Sequence, residues 1–253
     1  MHALHAEHED RHWWYAARRR IVLALLRSEL RAAPPRRPLD LLDVGCGAGG
    51  LLKLLSEFGT AVGVDPEPAA VQHARKANVS VHLGSLPNAL PFASERRFDV
   101  ITILDVLEHV EEDTASLQTL YALLRPGGVM LVTVPAFRFL WSGHDVVNEH
   151  KRRYTRRDLS DKLVATGFDI RVLSYYNTLL FPPIAVLRMV RRLFARESES
   201  PDTGVVREPF NTVLREAFAA ERHVLGRVRL PFGVSLIAVV RKPEANSHVN
   251  ADR

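Results

Sequence analysis

The residues with the most chemical content lie in the run Asp43-Val44-Gly45-Cys46-Gly47-Ala48-Gly49-Gly50. An apolar stretch at 39–44 leads into it and another follows at 51–58. Glycines at alternating positions let the backbone approach a ligand where any side chain would collide. A helix opening behind them aims its first amide groups at that ligand. The pattern predicts a strand, a tight turn and a helix around a nucleotide-like cofactor. Gly45, Gly47 and Gly50 satisfy the G-x-G-x-x-G dinucleotide spacing, and Asp65 stands about 20 residues on, where a ribose-binding acid belongs. Taken alone, the loop is compatible with a nicotinamide dinucleotide. Asp43, two residues before the first glycine, argues otherwise. A dinucleotide would set its pyrophosphate beside that like charge. A ligand with a sulfonium and an ammonium, and no phosphate, would be attracted to it. The plainer role for Asp43 is to cap the following turn; the two are compatible.

Four further segments accompany the glycine run. Ala61-Val62-Gly63-Val64-Asp65 reads as a second strand ending in an acid. Gly84-Ser85-Leu86-Pro87-Asn88 reads as a loop. Phe98-Asp99-Val100-Ile101-Thr102-Ile103-Leu104-Asp105 reads as a strand, with Leu107-Glu108-His109 beyond it. Leu124-Arg125-Pro126-Gly127-Gly128 turns into the strand 128–134. Together, over about residues 39–175, they resemble the class I S-adenosylmethionine-dependent methyltransferases. The resemblance implies S-adenosylmethionine as cofactor and a doubly wound, mostly parallel α/β sheet of seven strands, Rossmann-like in layout. It implies cofactor contacts at Asp43, Gly45, Cys46, Gly47, Gly49, Asp65, Pro66, Gly84, Ser85, Leu86, Leu104, Asp105 and His109. Ser85 stands where the family often has Asp, which moves adenine recognition towards backbone groups. In resembling enzymes a segment ahead of the sheet often folds over the cofactor mouth. Here His12-Trp13-Trp14-Tyr15 and Arg18-Arg19-Arg20 would do so, with Trp14 and Arg18 at the cofactor.

Methyl transfer from a sulfonium is an in-line displacement, so positioning dominates. A hydroxyl acceptor also needs a base. Candidates belong at the carboxyl ends of the fourth and fifth strands. They are His109 after the fourth, and His144, His150 and Tyr154 after the fifth. Against each stands a local role: a helix cap at Glu108 and His109, or loop-holding contacts for the others. Asp105, Glu108 and His109 also suit a hard or borderline divalent cation. Ubiquinone-pathway O-methyltransferases and small-RNA 2′-O-methyltransferases, which resemble this chain, bind magnesium through such a motif, and His150 is a counterpart of the later histidine. The motif also occurs in metal-free relatives, and the expectation is a site without metal.

The elements that must carry these groups alternate. Strands are expected at 39–44, 60–65, 79–83, 98–104, 128–134, 168–175 and 232–241, and helices at 48–58, 67–77, 113–124 and 156–166. Thr155 with Asp158 three residues on predicts an N-cap, and Gly167 a stop. The expected organisation is a helical lid at 1–38, the cofactor-binding core at 39–175, a helical cap at 176–231, and the last strand with a disordered tail at 232–253. Within the cap, 179–184 reads as an apolar loop, 185–195 as a basic amphipathic helix, 197–208 as a polar linker, and 211–228 as a second amphipathic helix. It could roof an apolar acceptor or touch an anionic membrane surface.

The chain has 253 residues, 47% of them hydrophobic, and a formal charge of +5. That supplies a full core for one elaborated domain. Its single cysteine, Cys46, permits no internal disulfide, which points to a reducing, cytoplasmic compartment. No apolar run reaches the roughly 18–20 residues of a spanning helix, and 1–10 is not a secretory signal. His2, His5, His8 and His12 share a helical spacing that could chelate metal, with a frayed terminus as the plainer reading. Arginine clusters at 18–20, 152–153, 156–157 and 188–196 are mostly solvated surface, or attract an anionic partner. Aromatics do not interleave with them as nucleic-acid stacking platforms would. The expected activity is methylation of a small or lipid-like acceptor, at oxygen. The rivals are an RNA 2′-O-methyltransferase with a metal at Asp105, Glu108, His109 and His150, a non-catalytic cofactor-binding subunit, and an NAD oxidoreductase, for which no second domain is visible.

Overall fold

The computed structural model describes residues 12–92, 95–193 and 207–244. Its centre is a seven-stranded sheet in the order β3-β2-β1-β4-β5-β7-β6. The strands are β1 (Leu39–Val44), β2 (Gly59–Asp65), β3 (Val81–Leu83), β4 (Phe98–Leu104), β5 (Leu124–Pro135), β6 (Asp169–Tyr176) and β7 (Ser235–Arg241). β1 to β5 pair in parallel, and β7 enters antiparallel between β5 and β6. The central strands are near-continuous apolar runs because helices cover both faces.

One face packs Ile101, Ile103 and Val132 against Leu117 and Leu120 of α4 (Asp113–Leu123) and Leu159 and Leu163 of α6 (Arg156–Thr166). The other packs Leu41, Val100, Leu131 and Ile237 against Ile21, Val22 and Leu26 of α1 (Trp13–Ala32). Neighbours in a strand face opposite ways, so Val100 and Ile101 serve different layers. The chain leaves β1 towards β2 and β3, then returns to β4 on the other side. That reversal opens a crevice at the carboxyl ends of β1 and β4.

Local signals hold where their chemistry is short-range. Thr155 and Asp158 form a reciprocal capping box, and Gly167 ends α6 with φ +101°. α1 begins at His12, whose side chain accepts from the Trp14 amide, and ends before Pro34 and Pro35. Three expectations differ. The helix expected over 48–58 is reduced to α2 (Leu52–Leu55), because positive φ at Gly45, Gly47 and Gly49 prolongs the turn. The apolar loop at 179–184 instead starts α7 (Phe181–Leu193) at Phe181. Pro182 and Pro183 sit in its first turn, where amide protons have no intrahelical partner. The helix expected over 211–228 is α8 (Phe210–Ala219) plus a 3-10 turn, Ala220–His223. Glu221 there accepts from the Asn177 and Thr178 amides, both at 2.7 Å, which ties this end to β6.

α3 (Pro68–Lys76), α5 (Gly143–Val147) and a 3-10 turn, Arg138–Leu140, complete the helices among the described residues. None of these is long and apolar enough to cross a membrane. His2, His5 and His8, residues 197–206 of the expected linker, and the tail from 245 lie outside the described residues.

Candidate active site

The glycine turn lies at the crevice mouth. Gly45 has φ +70°, a left-handed value that costs any L side chain, and a Cβ there would collide with Val106. Gly47 donates its amide to Asp65 Oδ2 at 2.8 Å, while Asp65 Oδ1 accepts from the Glu67 amide at 2.9 Å. Asp65 thus shapes the loop through both carboxylate oxygens. Asp43 is buried and accepts from Thr102 Oγ1 at 2.6 Å, across the register pairing of β1 with β4. Cys46 is buried under the turn. Gly84, Ser85 and Leu86 follow β3, where Ser85 bridges to Ala89, and Pro66 follows Asp65 at the surface.

A cavity of about 600 Å³ runs from Gly45 and Leu104 past Asp105 to the histidines. That falls within the roughly 300–1,000 Å³ of ligand pockets. Its roof is formed by segments far apart in sequence. Trp14 packs on Phe218 of α8 and Tyr176 of β6, with centroids 5.1 and 6.3 Å apart. The Trp13 amide donates to Asn211 Oδ1 at 3.0 Å. Ile184, Leu187 and Leu214 add apolar wall, and Arg188 a charged group.

Arg18 reaches across the turn to Asp105 and forms an ion pair with it. Burial works against the guanidinium's charge; the Asp105 carboxylate more than offsets this and holds it firmly protonated. Asp105 itself has φ +56° and accepts from Thr133 Oγ1 at 2.9 Å. Glu108 is 1% exposed, and its Oε2 has no hydrogen-bond partner. Burial, and then the neighbouring Asp105 charge, push its carboxyl well above the usual range.

Three histidines meet at the far wall. His109 and His150 lie 4.7 Å apart, and His144 and His150 6.0 Å, by ring centroids. His150 Nδ1 shares a 2.8 Å hydrogen bond with Asp145 Oδ1, which leaves Nε2 for the cavity. Asp145 is fully buried in α5 and also takes Arg153 in a bidentate pair of 2.7 and 3.0 Å. Burial alone would raise its pKa; hydrogen bonds from His150 and Arg153 reverse that and hold it far below the usual carboxylate range. Burial, followed by the His150 ring, lowers the pKa of His109, so its imidazole is neutral near pH 7.

The structure therefore brings His109, His144 and His150 to one cavity with Trp14, Arg18, Gly45, Leu104 and Asp105. Tyr154, expected among them, points elsewhere. It is 2% exposed and donates to Asp113 Oδ2 at 2.8 Å. Burial and Asp113 raise its pKa, and its hydroxyl lies on Asp113 and outside the cavity lining. Sequence reasoning did not single out Arg153 or Leu214; the only local signal was the basic run before Tyr154. Glu108, His109 and His150 each offer a ligand atom within 4.8 Å of the others, a set that fits a divalent cation. The glycine turn fits an adenosyl cofactor in that Gly45, which no L side chain could replace, lines the cavity.

A sequence profile described as "Methyltransferase domain" matches residues 12–173. Two similar proteins are called ubiquinone biosynthesis O-methyltransferase. One, from Methylobacterium nodulans, is 40% identical over 106 residues, covering 38% of this chain and 42% of the relative. Another, from Azorhizobium caulinodans, is 33% identical over 165 residues, covering 58% and 65%. The chain spans less than two thirds of the length of these relatives. A solved S-adenosylmethionine-dependent methyltransferase from Mesorhizobium loti shares the fold, with a TM-score of 0.55 at 16% identity, covering 87% of this chain and 98% of that one.

Proposed function

The chain belongs to the class I S-adenosylmethionine-dependent methyltransferase family, and we propose that it methylates a hydroxyl of a small, lipid-like acceptor. The observation that carries this reading is the cavity itself. One end meets the glycine turn, the other meets His109 and His150, and its roof is apolar. S-adenosylmethionine would supply the activated methyl, held by Gly45, Cys46, Gly47 and Gly49, with Asp65 and Pro66 towards the ribose. Gly84, Ser85 and Leu86 would flank the adenine, and Asp43, Leu104, Asp105, Trp14 and Arg18 the amino-acid end.

The chain's own residues supply the rest. Ile184, Leu187 and Leu214 hold the acceptor's apolar body and exclude water. His150 is oriented through Nδ1 by Asp145, so its Nε2 lone pair faces the acceptor hydroxyl. As the oxygen takes the methyl, its proton passes to that imidazole, and Asp145 stabilises the cation formed. His109, kept neutral, is the second proton acceptor at the same wall, and His144 borders it. The single buried cysteine supports a reducing, cytoplasmic setting.

The clustered ligand atoms of Glu108, His109 and His150 favour a second reading, in which these three residues would hold a divalent cation that would supply Lewis-acid polarisation of the acceptor oxygen. Calorimetric titration with magnesium or manganese separates the two. Heat of binding, and activity abolished by chelator, would support the metal. The primary reading is tested with labelled S-adenosylmethionine and a panel of prenylated phenols, water-soluble phenols and RNA. Label is expected in the prenylated phenols. Label in RNA alone, or stabilisation of the fold by NAD but not by S-adenosylmethionine, overturns it.

A further inference from the structure

α7 carries apolar side chains on its outer face as well as towards the cavity. Ile184, Leu187 and Arg188 line the cavity, while Val186, Met189 and Val190 are 58%, 60% and 44% exposed. The patch continues beyond the helix. Leu179 is 62% exposed, Phe139 57% and Phe232 40%. Phe181, at the start of α7, joins Phe139 and Phe232, with ring centroids 6.4 Å and 5.4 Å away. Scattered apolar residues on a surface are ordinary, but a continuous patch marks an interaction site.

The charge around the patch selects its partner. Segments 138–141, 177–190 and 224–232, which build it, contain Arg138, Arg188, Arg227 and Arg229 and no acidic residue. Arg138 and Arg229 are exposed beside Phe139 and near Phe232. An apolar face rimmed by one sign of charge matches an anionic lipid surface, in which the apolar side chains enter the acyl boundary and the arginines meet headgroups. A second copy of the chain would bring the same positive charge to the contact.

We propose that this face seats the protein on an anionic lipid surface, and that the acceptor reaches the cavity from that surface past α7. The helix that would touch lipid on one side walls the cavity on the other. This rests on the reading of the acceptor as lipid-like.

The test uses flotation of the full chain with vesicles of phosphatidylcholine alone, or of phosphatidylcholine mixed with phosphatidylglycerol. S-adenosylmethionine binding is measured by calorimetry on the same preparations. The wild type is expected to float with the mixed vesicles and to be released by salt. The double variant Val186→Glu, Met189→Glu is expected to lose roughly tenfold or more in partitioning, with cofactor binding and thermal unfolding unchanged. Arg138→Glu with Arg229→Glu should weaken binding to the mixed vesicles only. A wild type that stays with the lipid-free fraction overturns the proposal, as does a Val186/Met189 variant that floats as well as the wild type. A wild-type dimer that the same variant converts to monomer, without vesicle binding, assigns the face to a second copy. Absent cofactor binding with intact flotation would instead break the methyltransferase reading and leave the lipid surface standing.

Discussion

Arg18 on α1 and Asp105 beyond β4 form an ion pair between segments 87 residues apart in sequence. Both side chains are largely buried, at 12% and 22% exposure. The pair pins the aromatic start of α1 over the glycine turn. Between Tyr15, Arg18, Asp43 and Gly45 it leaves about 30 Å³, on the order of one water molecule. The same pair also borders the larger cavity of about 600 Å³, at the end that meets Gly45 and Leu104.

Removing one partner strands the other in a low-dielectric site. Arg18→Met and Asp105→Asn should each destabilise the fold by about 3 kcal/mol. Urea unfolding of both single variants and the double variant measures their coupling. Direct partners give coupling of roughly 0.5–3 kcal/mol; strict additivity would show that the pair does not act as a unit.

Glu108 gives a pH signature. Its folded-state pKa is raised, so the folded protein binds that proton more tightly than the unfolded chain does. The resulting stabilisation is complete below the unfolded value of about 4.3 and is lost as pH rises through the folded one. Glu108→Gln should therefore unfold at higher temperature than wild type at pH 8, with the difference vanishing towards pH 4. Asp145 has the opposite sign. Its pKa is depressed, so its contribution is present above about 3.9 and is lost as pH falls towards the folded value. Melting curves across pH check both; an advantage for Glu108→Gln that grows in acid would refute the assignment.

The parallel core was legible because its signals are local. The apolar run of β1, the acid ending β2 and the Thr155 capping box each act within a few residues. The cavity was only half legible. His109, His144 and His150 stood out by residue type, but nothing local shows that Asp145 orients His150 or that Tyr154 turns towards Asp113. The roof was least legible. Trp14, Phe218 and Tyr176 meet through packing between distant segments, Trp14 and Phe218 lying 204 residues apart, and no periodicity within α1 or α8 names the partner.

If His150 accepts the hydroxyl proton, His150→Ala should lower kcat by about 10²–10⁴-fold, with cofactor affinity little changed. His109→Ala should cost less in rate and remove part of the acid limb of the pH profile. The lowered pKa of His109 places that limb below pH 6.5, where the imidazole begins to charge. Single-turnover rates from pH 5 to 8 check this; full activity in His150→Ala would assign the proton elsewhere.

Tyr154 separates structure from catalysis at the same wall. Its hydroxyl donates to Asp113, which also takes Lys162 Nζ at 2.8 Å and Arg152 at 3.1 Å. Tyr154→Phe removes one of those donors and leaves the ring's packing intact. The expected cost is about 1–2 kcal/mol of stability, read by denaturant unfolding. Turnover per folded molecule should stay at the wild-type level, because the phenol faces α4 and not the cavity. A variant as stable as wild type but slow in turnover would return Tyr154 to the acceptor side and require the loop to rearrange when the acceptor binds.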